Sequence, residues 1–61
     1  MFQVFQNGRL VASTKFGTFG DAVNFTREYV KVKFNYDLEV RSENVPHYIV
    51  NNNTIEIREV K

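Results

Sequence analysis

The stretch from Thr18 to Phe34, TFGDAVNFTREYVKVKF, is the one segment of this chain with helical periodicity, and the segments on either side read as strands that need a cover. At helical spacing Phe19, Ala22, Val23, Phe25, Thr26, Tyr29, Val30 and Val32 share one broad arc, while Asp21, Asn24, Arg27, Glu28 and Lys31 share the other. Ala22, Phe25, Tyr29 and Val32 form a seam within the apolar side. An arc this wide suits a sheet better than a single partner helix.

The ends of the helix are marked chemically. Thr18 followed by Asp21 resembles a capping box, in which the hydroxyl accepts from a backbone N–H that has no carbonyl to bond. Asp21 in the first turn, and Lys31 and Lys33 in the last, suit the macrodipole. Lys33 falls inside the apolar arc, so its stem should be covered and its ammonium should reach outward. Asn35 accepts the left-handed conformation and makes a natural stop. Val, Phe, Tyr and Thr are mediocre helix formers, so packing must hold this helix.

Before the helix, Phe2 to Lys15 reads as a β-hairpin turning at Asn7-Gly8, two residues that adopt positive φ cheaply. That turn sets Gln6 opposite Arg9, Phe5 opposite Leu10, Val4 opposite Val11 and Gln3 opposite Ala12. The face with Met1, Gln3, Phe5, Leu10, Ala12 and Thr14 has more apolar bulk and no charge, so it is expected against the helix. Phe2, Val4 and Val11 then fall on the far side. The turn Phe16-Gly17-Thr18-Phe19-Gly20 leads into the helix, and its two glycines suggest tight geometry or a close approach to something.

After the helix, Asp37 to Ser42 alternates as a strand, with Leu38 and Val40 inward and Glu39 and Arg41 outward. Pro46 belongs in a loop or at a strand start. Tyr48 to Val60 reads as a second hairpin with its loop at Asn52-Asn53. That register pairs Val50 with Ile55 and Tyr48 with Ile57 on one face. The expected fold is therefore α+β, ββαβββ, one helix on an antiparallel sheet whose reverse side is uncovered.

Sixty-one residues make a single small domain, spanning 1–61, and its six Phe and three Tyr compensate for the absence of cysteine staples. A formal net charge of +1 supplies no strong field for nucleic acid or anionic membrane. MFQVFQNGR lacks the basic and apolar regions of a signal peptide, so a cytoplasmic protein is expected, and the two N-x-[ST] matches carry no chemistry there.

Catalytic constellations are hard to assemble. His47 follows a proline in an expected loop, and neither Ser13 nor Ser42 sits in a nucleophile-elbow context. One histidine and no cysteine cannot complete a zinc site, and Asn51, Asn52, Asn53 and Glu56 lack the acidic alternation of a calcium loop. Glu39 and Glu56 alternate with Arg41 and Arg58, which reads as cross-strand ion pairing. Lys15 to Gly20 does not match a phosphate-binding loop, because Asp21 stands where the lysine should follow.

The sequence does not reveal a function outright. It favours a non-enzymatic module without metal or cofactor, homodimeric through a sheet face or edge and binding a protein partner through Phe2, Val4, Val11 and Ile49. The alternative is a binder of single-stranded nucleic acid through Phe2, Arg9, Lys15, Arg41 and Arg58.

Overall fold

The computed structural model describes residues 1–39 and 46–61. Its elements are β1 Phe2–Gln6, β2 Arg9–Leu10, α1 Phe19–Phe34, β3 His47–Val50 and β4 Asn53–Glu59. The fold is α+β: a four-stranded antiparallel sheet in the order β2-β1-β4-β3 with α1 packed across its centre. The two ends of the chain supply the two central strands, so β1 pairs with β4 along its whole length, from Phe2 opposite Glu59 to Gln6 opposite Ile55. Of the expected third strand, Asp37 to Glu39 join no strand among the described residues, although Leu38 still packs against the core; Val40 to Ser42 lie outside the described residues.

The helix begins and ends where its caps dictate. Thr18 is extended, with φ −128° and ψ 157°, and its hydroxyl accepts from the Asp21 N–H at 3.1 Å. Asn35 stops the helix in the left-handed region at φ 52°, and its N–H donates back to the Val30 carbonyl. The buried face centres on Ala22, Val23, Thr26 and Val30 rather than on the expected seam. Phe25 and Tyr29 sit at its margin, and Val32, 86% exposed, lies outside it. Among the described residues the sheet has two central strands for the helix to cover, so the covered stripe is narrower than the apolar arc. Thr26 is fully buried because its hydroxyl donates to the Ala22 carbonyl at 2.8 Å, leaving no unsatisfied polar group.

The first hairpin keeps the expected register at its turn, with Phe5 opposite Leu10 and Gln6 opposite Arg9, and the Val11 N–H donates to the Val4 carbonyl. Its faces are reversed from expectation. Val4 is 1% exposed and stands in the core beside Val50, Ile55 and Ile57, with Phe2 and Val11 packed against it. The reason lies in β4: Val4 sits opposite Ile57 and Gln6 opposite Ile55, and cross-strand neighbours share a face. Burying the two isoleucines therefore buries Val4, whatever the hairpin's own apolar count. Beyond Val11 the second arm leaves the ladder and returns to pair Phe16, not Ser13, with Phe2 through hydrogen bonds of 2.8 Å in both directions.

The second hairpin turns at Asn51-Asn52, one residue earlier than expected, with φ 48° and 66°. Tyr48 consequently faces Ile55 and Val50 faces Asn53. Moving a two-residue turn by one position changes the register by two, which preserves side-chain faces. Tyr48, Val50, Ile55 and Ile57 thus remain together on the helix side, and hydrophobic pattern alone cannot choose between the two registers. A Cβ at Gly17 would meet nothing within 4 Å and one at Gly20 would meet Thr18 Oγ1 at an ordinary 3.9 Å, so neither marks a close approach.

Candidate protein interface

The side of the sheet opposite the helix carries Leu10, Gln3, Phe5, Thr54, Glu56, Arg58, His47 and Ile49, as the strand registers require. Ile49 is 73% exposed and Leu10 47% exposed. Phe5, at the middle of this face, is half-buried because the Arg58 guanidinium lies 4.4 Å from its ring centroid. Arg58 is held there by Glu56, two residues away on the same strand, so the ion pair runs along β4 rather than across strands. Both partners are partly solvated, and the pair orients the guanidinium more than it stabilises the fold. Among the described residues no second layer covers this face.

The strand edges differ. β2 is two residues long, which leaves little ladder to pair with a neighbour. β3 is four residues long and lies at the other edge of the sheet. Its hairpin closes on Val50 and Asn53, and the Ile57 N–H donates to the Pro46 carbonyl at 2.7 Å. Antiparallel alternation then directs the N–H and C=O groups of His47 and Ile49 away from β4. Expected in a loop, His47 instead opens β3 and is exposed.

The two turns lie side by side at one end of the sheet and are joined by amides. The Asn7 amide donates to Asn53 Oδ1 at 2.9 Å, and the Asn53 amide donates to the Asn51 carbonyl at 3.0 Å. This network accounts for the asparagines as structure.

Of the interface residues expected from sequence, only Ile49 is on the uncovered face; Phe2, Val4 and Val11 contribute to or pack on the core. Phe5 and Leu10 take their place, and the missed signal was the β1–β4 pairing. The residues of the nucleic-acid alternative are not gathered. Phe2 packs edge-on to Phe19 with centroids 5.7 Å apart, and Arg9 shares the helix-side face with Gln6. Lys15 donates to the Lys61 backbone carbonyl at 3.0 Å, Arg58 is on the uncovered face, and Arg41 lies outside the described residues.

No protein-family model, curated protein or solved structure matches this chain. Among the described residues, no group of three or more His, Asp or Glu side chains is placed to hold a metal ion. Among the described residues, no helix is long and apolar enough to cross a membrane.

Proposed function

We propose that this chain is a non-enzymatic protein-binding module of the cytoplasm that self-associates through the β3 edge. The observation that carries the reading is the state of β3: an edge strand with two residues whose backbone groups point outward, one of them Ile49, the most exposed large apolar side chain of the sheet. A second copy fits this edge by symmetry, because an antiparallel edge is complementary to itself under a two-fold axis. With Tyr48 of the two copies opposite each other, His47 meets the partner's Ile49 and both outward residues find backbone partners. The strand is short, so the association is concentration-dependent rather than obligate. Larger protein partners would be engaged through the adjoining face of Phe5, Leu10 and Ile49.

Sedimentation equilibrium over a concentration series tests this. Wild type is expected to shift toward dimer as concentration rises. Ile49→Pro removes an outward N–H that β4 does not use and should remain folded and monomeric. A wild-type chain that stays monomeric throughout overturns the proposal, and so does a Pro variant that dimerises equally well.

A further inference from the structure

A second feature lies on the opposite side of the sheet, where the β1–β2 hairpin meets the C-terminal half of α1. Gln6, Asn7, Arg9, Val11, Tyr29 and Lys33 line a cleft there, and Leu10, whose side chain belongs to the other face, borders it. It holds two cations and no carboxylate, in a chain whose formal net charge is only +1. The neutral donors of the cleft are already engaged: the Tyr29 hydroxyl donates to Gln6 Oε1, and the Gln6 amide donates to Asn53 Oδ1 at 3.4 Å. The Lys33 ammonium lies 5.5 Å from the Tyr29 ring centroid. Among the described residues, neither Arg9 nor Lys33 has a carboxylate partner; the two ion pairs there are Lys31–Asp37 and Arg58–Glu56.

We infer that this cleft binds a small oxyanion of the phosphate class, held between the Arg9 guanidinium and the Lys33 ammonium. The hairpin supplies one cation and the helix the other, so the ligand is gripped from two walls. Arg9 offers a planar fork that matches two phosphate oxygens, and Lys33 a point charge for a third. The C-terminal end of α1 contributes about half a negative charge, which tempers the field of Lys33 but leaves the cleft net positive. A phosphate carries roughly 1.5 to 2 negative charges near neutrality and neutralises both cations, whereas a monocarboxylate leaves one unmatched. Both cations are exposed, so binding is weak and salt-sensitive. Tyr29 forms the floor, tied to the sheet by its hydroxyl and to Lys33 by its ring, which couples the two walls.

The test is an amide chemical-shift titration of the intact chain with inorganic phosphate at constant ionic strength, balanced with chloride. Saturable shifts are expected at Arg9, Leu10, Tyr29 and Lys33, strengthening as pH rises through the range in which inorganic phosphate loses its second proton. Arg9→Gln and Lys33→Gln should each weaken binding several-fold, Lys33→Arg should restore it, and Lys31→Gln should leave it unchanged. All three positions are exposed, and the dispersion of each variant's spectrum verifies its fold. Shifts that are absent, linear in phosphate, or unaltered in both Gln variants overturn the assignment.

Discussion

Asn7 and Thr54 bind each other across the two turns: the Asn7 N–H donates to the Thr54 carbonyl at 2.8 Å, and the Thr54 N–H donates to Asn7 Oδ1 at 2.9 Å. The same asparagine holds φ 52° in the first turn. One residue therefore shapes the N-terminal hairpin and fastens it to the C-terminal one. Asn7→Ala loses both services and is expected to cost about 2 kcal/mol, from roughly 1 for left-handed strain and roughly 1 for the lost hydrogen bonds. Asn7→Gly relieves the strain but not the hydrogen bonds, and should cost about half as much. Urea unfolding of the two variants separates the contributions; equal losses would show that the side-chain bonds alone matter.

Burial on the helix-side face is where stability concentrates. Ile55 is fully buried at the centre of the sheet, opposite both Gln6 and Tyr48. Ile55→Ala is expected to cost about 2–5 kcal/mol, comparable with the whole stability of a domain this small. Val32→Ala, at an exposed helix position, should change stability by less than about 0.5 kcal/mol. Thermal melts of both decide the matter, and a large loss at Val32 would mean that the helix face is assigned wrongly.

Much of the fold was legible in the residues themselves. Thr18, Asp21, Lys31, Lys33 and Asn35 gave both helix ends, because caps and dipole partners act locally. Asn7-Gly8 gave the first turn for the same reason. The faces of β1 were not legible, because they depend on pairing with β4 some fifty residues away, which no local count of apolar bulk encodes. The asparagine run at Asn51 to Asn53 offered two turns of equal hydrophobic merit; contacts from Asn7 and Gln6 to Asn53 favour the observed one. Ile49 was recoverable as an interface candidate because β3 and β4 alternate cleanly. Phe5 and Leu10 were lost with the face assignment. Val11 and Phe2 were misplaced by the same error.

Gly20 is a residue whose replacement should help. It lies in the first turn of α1, its φ is not positive, and a Cβ there would come no closer than 3.9 Å to Thr18 Oγ1. Nothing in the packing calls for glycine. Gly20→Ala is expected to stabilise by up to about 1 kcal/mol by restricting the unfolded chain and favouring helix. In the same turn, Thr18→Ala should cost about 1 kcal/mol through the lost cap, and Thr18→Ser should largely retain it. Denaturant midpoints measure all three. A destabilised Gly20→Ala would indicate that the turn needs a conformation that L-residues resist.

Alkaline pH should weaken the fold through Tyr48. Its ring sits half-buried on the helix side of β3, opposite Ile55, and burial there raises its phenol above the usual value near 10 by disfavouring the phenolate. The folded chain thus holds the proton more tightly than the unfolded chain. The contribution is fully present below the unfolded value, about 10, and declines as pH rises through the folded one. Lysine deprotonation acts in the same range, so the informative quantity is a difference between variants. Tyr48→Phe, which removes the titrating group, should lose less stability between pH 8 and pH 11 than wild type, as read by urea midpoints at the two pH values. Identical losses would show that the Tyr48 phenol titrates as freely in the folded chain as in the unfolded one.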